Sequence, residues 1–351
     1  MKSLAIVGIG SYLPPDILSN ADLEKMVDTS DEWIVSRTGI RERRIAKPGV
    51  ASSDLALEAA KNALKDARLE PDELDLIIFS TAFPDYGSNE PRTAEVFKLK
   101  LGARNALSLE EPAECAGFDF SLVRALEEAQ TYGYKRILVA CGDKTTAFVN
   151  KQDRQTVVLF GDGGGAVVLK PCGPRQGILS SYRQTYPYAT VWSKTPAIEW
   201  IYVPAGGSRL PANTETVERG QHYMVMTDGG AILRYVTEEI PRVCETVCKR
   251  ADVDIHDVKY IVPHSANSRI IQSVERRLGL KSGIVLDNAE RVGNTSCSSV
   301  PIGLDRLYKE GKLSWGDLVI TVGFGAGIVI GANLIRWTKS SIVCEEGGDK
   351  G

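Results

Sequence analysis

The chain has 351 residues, more than one small core needs and enough for two domains of about 150 residues each. Hydrophobic content of 43% and charged content of 25% are those of ordinary globular proteins, and a formal net charge of -3 gives no global pull toward nucleic acid or an anionic membrane. No apolar run reaches the roughly 18 residues of a membrane span, so neither nucleic acid nor membrane is an expected partner, and any basic patch must be local.

The opening stretch MKSLAIVGIGSYLPPD reads as a short apolar strand and a turn, with no basic leader and no cleavage site. Its seven cysteines are odd in number and irregular in spacing, which predicts a reduced, cytoplasmic protein whose thiols act mostly as small apolar side chains. Further buried strands are predicted at Asp75–Phe83, Arg136–Asp143 and Gly164–Lys170, then at Lys259–Asn267, Leu318–Gly327 and Ile328–Trp337. Each is a short, β-rich apolar run without strict alternation. Amphipathic helices lie between them. SSDLALEAAKNALKDA has a Ser or Asp cap and an Ala/Leu stripe, and the run from Ala231 to Arg250 has the same character despite Pro241. Cys244 and Cys248 on that second helix are spaced to share a metal, but no second pair lies near them. Core packing is the expectation, with no metal and no other cofactor.

The order of these pieces repeats. In each half a helix leads to an apolar strand, then to a polar turn, a helix, a second strand and a glycine-rich turn into a third. This predicts an internal duplication with its boundary in PCGPRQG. The N-terminal half covers 1–175, the C-terminal half 176–340, and 341–351 form a tail. Alternating strands and helices imply an α/β fold of layered α-β-α-β-α halves, with corresponding strand ends meeting at a shared crevice. The stretch from about Ser180 to Gln221 is rich in Tyr, Trp, Pro, Gly and Thr and reads as an insertion, either a lid over a tunnel mouth or a surface loop.

Three positions carry chemistry. Cys115, in EPAECAGFDFSLVRALEEA, falls at the start of a predicted helix, where free backbone N–H groups and the dipole favour thiolate. A buried structural cysteine is the plainer alternative. His264 follows an apolar strand in VPHSAN, where an imidazole can face the crevice, donate to an oxyanion and shuttle protons. Asn294, in RVGNTSCSS, occupies the half-repeat position matching Cys115, and its amide can donate to an enolate without taking up a proton. Alone, each is an ordinary cysteine, loop histidine or turn asparagine. The repeat is what joins them at one crevice. GDGGGAVVL precedes a strand and lacks the phosphate-loop lysine, whereas backbone N–H groups of GFGAG, at Ala326, can face a cavity and bind an oxyanion.

With these residues the pattern resembles the β-ketoacyl-acyl-carrier-protein synthase III family over nearly the whole chain. The matching motifs are NADLEKMVDTSDEWIVSRTGIRERRIA, ECAGF, DRQTVVLFGDGGGAVVL, VPHSAN, GNTS and GFGAG. The resemblance implies a homodimer of thiolase fold with a Cys115–His264–Asn294 site, and an oxyanion hole from the backbone of Cys115 and Ala326. It implies an acyl group from acyl-CoA or acyl-ACP loaded on Cys115, followed by decarboxylative condensation with malonyl-ACP. Trp33 and Arg154 look like the pair that sandwiches the coenzyme A adenine, with Arg37 near the phosphates and Asn267 at the pantetheine. Arg269, Arg276 and Arg277 fall near one helical face and suit an acidic carrier protein.

The chain departs from the family in four places. Ser265 replaces the glutamine of PHQAN, and DGGAILRY stands for a GNEVF-like segment of the pantetheine wall. Glu114 precedes Cys115 where the family is small and apolar; a carboxylate there would raise the thiol pKa, so Glu114 is expected to point away or be paired. Glu90, in DYGSNEPRTAE, stands where the family has an apolar or aromatic residue on a loop that reaches the partner subunit's acyl pocket, and is similar to the carboxylate base of ketosynthases that join two acyl chains into pyrones or head-to-head β-keto products. It reads alternatively as a solvated loop residue paired with Arg92. Acyl transfer to oxygen or nitrogen, or an inactive partner subunit, are further readings that an intact Cys115–His264–Asn294 set disfavours.

Overall fold

The computed structural model describes residues 3–186 and 193–339; the predicted tail and residues 187–192 of the predicted insertion lie outside the described residues. Among the described residues no helix is long and apolar enough to cross a membrane.

The elements that position the site are, in chain order, β1 (Ser3–Tyr12), α1 (Asp31–Thr38), α2 (Ser52–Ala67), β2 (Leu76–Ser80), β3 (Leu107–Glu110), α3 (Gly117–Tyr132), β4 (Ile137–Asp143) and β5 (Gly163–Cys172). They continue with β6 (Gly177–Thr185), α4 (Gly229–Arg250), β7 (Val258–Pro263), α5 (Ser268–Leu278), α6 (Ser299–Lys309), β8 (Leu318–Gly325) and β9 (Val329–Arg336).

The strands sort into two sheets of matching design. The first runs β1-β5-β4-β2-β3 and the second β7-β8-β9-β6. β2 lies parallel to β4 as β7 does to β8, and the next two pairings are antiparallel in both sheets. Even the extra edge strand β3 has a vestige in the second half, where Ile261 bridges Val285 in parallel. The predicted repeat therefore extends one strand further than the sequence suggested, to β1 and β6. β6 falls at the start of the stretch read as an insertion. It is a half-exposed edge strand, and its polar run SSYRQT hides it from a search for buried apolar segments.

Packing builds five layers. α2 covers the outer face of the first sheet, α4 and α5 cover the outer face of the second, and α3 and α6 fill the space between the sheets. Three apolar clusters correspond to these interfaces. α2 buries Leu55, Ala56, Ala59, Ala60, Ala63 and Leu64, a stripe at helical spacing that leaves it unusually close to its sheet. A Cβ on Gly10 of β1 would lie 2.5 Å from the Ala59 carbonyl oxygen, so only glycine permits this approach. Pro241 is buried within α4 without ending it. This duplicated, five-layer arrangement is the thiolase fold.

Asp119 ties a central helix to the second sheet. The Asn333 side chain on β9 donates to its backbone oxygen and its Oδ1, both at 3.2 Å, and Thr321 of β8 also favours the charged carboxylate. Burial pushes the Asp119 carboxyl up to about 7 against those bonds. A folded pKa above the unfolded value means stability that is present at low pH and lost as pH rises from about 4 through 7. Asp119→Asn removes that loss. Its melting temperature is expected to gain roughly 2–5 °C on the wild type between about pH 5 and about pH 8. An unchanged difference at the two pH values would show that Asp119 does not titrate between the states.

Candidate active site

The two central helices begin side by side. α3 opens from the single turn Glu114–Ala116 and α6 from the turn Ser296–Ser298, and these turns touch. Each starts on a non-glycine residue in the left-handed region, Glu114 at φ 48° and Ser296 at φ 51°. That conformation costs on the order of 1 kcal/mol and is sustained by surrounding packing. The result is a Cys115 sulfur 3.4 Å from the Ser296 hydroxyl.

His264 follows β7. Its backbone N–H donates to the Val322 carbonyl at 2.8 Å, which carries the β7–β8 pairing one residue past the strand. Nδ1 lies 2.8 Å from Ser299 Oγ, and the ring packs edge-on against Phe324 with centroids 4.9 Å apart. Only 3% of the residue is exposed, and burial pushes the imidazole down to about 3, so the ring is neutral at ordinary pH.

Asn294 is fixed through its backbone, donating to Leu159 O at 2.8 Å and accepting from Gly161 N at 2.9 Å. Its side-chain Oδ1 accepts from Ser296 N at 2.9 Å. The carbonyl end is thereby held, and the amide N–H donors are uncommitted among the described residues.

The ionisation of Cys115 differs from the expectation at a helix start. Burial pushes the thiol up to about 12; the Ser296 hydroxyl opposes this, while Asp143 and Glu114 add to it. Loss of water outweighs the helix dipole here, and the sulfur is a thiol at neutral pH. Asp143 is fully buried and accepts from the Cys297 thiol, Thr81 Oγ1 and the Ala82 N–H, so it is a structural clamp under the site.

β8 delivers the GFGAG loop. A Cβ on Gly325 would lie 2.8 Å from both the Cys115 nitrogen and the Glu114 Cβ, which explains the glycine by close approach. Ala326 follows directly.

A cavity of about 790 Å³ joins these groups: Cys115, His264, Asn294 and Ala326 line it together with Trp33, Arg37 and Asn267. Much of its apolar wall comes from Ile201 and Val203 of the stretch read as an insertion, Met224 and Met226 just after it, and Ile232 and Leu233 of the DGGAILRY segment at the start of α4. Ile201–Tyr202 pairs with Val225–Met226, and Trp200 beside them is buried against Tyr235 of α4. The described part of that stretch is thus a strand followed by a cavity wall.

The Arg37 and Arg154 guanidinium groups lie 4.6 and 4.8 Å from the Trp33 ring centroid. Both guanidinium groups therefore lie against the Trp33 ring. Asn267 caps α5 by accepting from Arg269 N, and donates to Arg37 O at 3.0 Å. Arg269, Arg276 and Arg277 are exposed on α5, with Arg277 3.5 Å from Glu238. Glu90 is exposed and lies outside the cavity, and Arg92 pairs with Glu95 rather than with it. Glu114 is neither paired nor turned out of the cavity. It lines the cavity and has no hydrogen bond or ion pair among the described residues. Ser296 and Ser299 were not singled out from the sequence, although both lie in the NTSCSS run beside Asn294.

Two family profiles match the chain: 3-oxoacyl-[acyl-carrier-protein (ACP)] synthase III over residues 110–187, and the C-terminal part of the same family over residues 248–337. The β-ketoacyl-[acyl-carrier-protein] synthase III of Caldanaerobacter subterraneus subsp. tengcongensis is 43% identical over 334 residues, covering 95% of this chain and 98% of that one. Among solved structures, the 3-oxoacyl-[acyl-carrier-protein] synthase III of Aquifex aeolicus superposes with a TM-score of 0.84 at 36% identity, covering 95% of this chain and 100% of the other. The corresponding protein of Pseudomonas aeruginosa gives 0.85 at 31%, covering 96% and 99%. A shared fold, and identity sustained from end to end at this level, mean that the chain belongs to the β-ketoacyl-[acyl-carrier-protein] synthase III family.

Proposed function

We propose that the chain loads an acyl group from a coenzyme A or carrier-protein thioester onto Cys115 and condenses it with malonyl-acyl-carrier-protein. The observation that carries this reading is the meeting of a thiol, a neutral imidazole and a carboxamide on one largely apolar cavity. In the first stage the Cys115 sulfur bonds to the acyl carbon, and the donor thiol departs with the proton that Cys115 gives up. Backbone N–H groups of Cys115 and Ala326 hold the tetrahedral oxygen.

In the second stage the malonyl thioester oxygen takes hydrogen bonds from His264 and Asn294. Carbon dioxide leaves, and the electron pair stays as an enolate. Its carbon attacks the acyl-Cys115 carbonyl, giving the β-ketoacyl product and a Cys115 sulfur that takes a proton from solvent. An imidazole held neutral by burial suits this role, because it stabilises the enolate as a donor without quenching it. Trp33, Arg37, Arg154 and Asn267 would receive the nucleotide and pantetheine arm. Arg269, Arg276 and Arg277 would face the acidic carrier protein. A cytoplasmic homodimer completes the proposal. Condensation of two longer chains is the second reading; there Glu90, exposed and outside its own chain's cavity, would act as base in the acyl pocket of a partner subunit.

Removing either enolate donor should separate the two stages. His264→Ala and Asn294→Ala are each expected to slow condensation by about 10²–10³-fold while mass spectrometry still finds the acyl adduct on Cys115. Equal loss of loading and condensation would refute the assignment. Charge reversal at Arg269, Arg276 and Arg277 is expected to raise the KM for malonyl-carrier protein about tenfold, most strongly at low salt, with acyl-CoA loading unchanged.

A further inference from the structure

Glu114 is the only carboxyl among the described residues that line the cavity, and it directly precedes Cys115. It has no hydrogen bond or ion pair there, and its environment contains no cation that holds it: burial, then the nearby Asp143, push its carboxyl up to about 7. Glu114 is half-buried, so a ligand that displaces water from the cavity must replace the carboxyl's hydrogen bonds or leave it unpaired. Its backbone is also held in the left-handed region, at φ 48°, and its Cβ lies close under Gly325, so the turn fixes where the side chain starts.

Neighbouring residues on a turn do not face each other, so Glu114 is poorly placed to exchange a proton with the Cys115 sulfur. What it can reach is the group that the sulfur carries. Part of the wall, at Ile201, Val203, Met224 and Met226, is apolar, and the polar groups that also line the cavity, Arg37, Asn294 and Ser296 among them, make no hydrogen bond or ion pair to the carboxyl. A ligand group near the thioester end of the acyl chain is therefore able to supply that partner.

We propose that Glu114 is a specificity-determining residue: it favours acyl groups bearing a hydroxyl on the carbons next to the thioester over plain alkyl chains. The inference rests on the acyl-loading reading above. A hydroxyl is the group that fits, since it donates to a carboxylate and accepts from a carboxylic acid, and so satisfies Glu114 in both forms near neutral pH. An alkyl chain at the same place strips water from the carboxyl and returns no hydrogen bond. An acyl group with its own carboxylate there is repelled. The apolar wall beyond takes an aliphatic tail in either case.

Competition between matched thioesters tests this on the full-length protein. Butyryl-CoA is offered against 3-hydroxybutyryl-CoA, and octanoyl-CoA against 3-hydroxyoctanoyl-CoA, and the adduct on Cys115 is read by intact-protein mass spectrometry. The wild type is expected to carry the hydroxyacyl adduct in roughly tenfold excess or more. Glu114→Ala is expected to invert the preference. Glu114→Gln, which keeps a donor and an acceptor without the charge, is expected to retain most of it. A wild type that loads alkyl groups at least as fast as their hydroxylated counterparts overturns the inference, as does a Glu114→Ala variant with the wild-type preference. A wild type that takes no adduct from any of these thioesters overturns the acyl-loading reading itself, and this inference with it.

Discussion

Contact between the opening turns of the two central helices is the constraint on which the site depends. Each helix belongs to its own half of a duplicated scaffold, and each needs a left-handed residue, Glu114 or Ser296, to enter its turn. Were either turn relaxed into ordinary helix, Cys115 would withdraw from Ser296 and Asn294 would lose the backbone N–H that orients its amide. The local strain is small beside the packing of α3 and α6 between two sheets, where α6 is mostly buried and α3 is buried along its first turns. The fold thus holds a local conformation that neither peptide would choose alone.

The same burial sets the electrical character of the site. Removing water holds the Cys115 thiol protonated and the His264 imidazole neutral, so the resting cavity has no thiolate–imidazolium pair. Such a site is suited to hold charge that appears only during reaction, on a tetrahedral oxygen or an enolate, with donors already in place. Asp143 contributes from below as a fully hydrogen-bonded clamp whose negative field keeps the sulfur from ionising early.

The parts of this arrangement that were legible in the sequence are those that local pattern determines. β2, β4 and β8 are almost wholly buried and appear as unbroken apolar runs. His264 stands at the end of another such run and Cys115 and Asn294 at helix starts, which is why an internal repeat could place them together. β6 escaped because an edge strand needs only one covered side, and its residues read as polar. A helix start is visible in sequence and points to a thiolate, whereas the burial that holds Cys115 protonated is a property of the assembled layers. Glu114 was expected to find a partner, but nothing local determines which cations a fold will bring near. The stacking of Arg37 and Arg154 on Trp33 lay between these cases: the residues were legible, their closure on the ring was not.

The cavity is assembled from two kinds of material. Its reacting groups are anchored to sheet ends and central-helix turns, while much of its lining comes from the short hairpin of Ile201–Tyr202 with Val225–Met226 and from the first turns of α4. Trp200 pins that hairpin to α4 through Tyr235, away from the reacting atoms. Bulk at Ile201, Met224 or Leu233 can therefore be traded for a longer or narrower bore while the bond-making geometry stays as it is. Chemistry and gauge are set by separate parts of the chain.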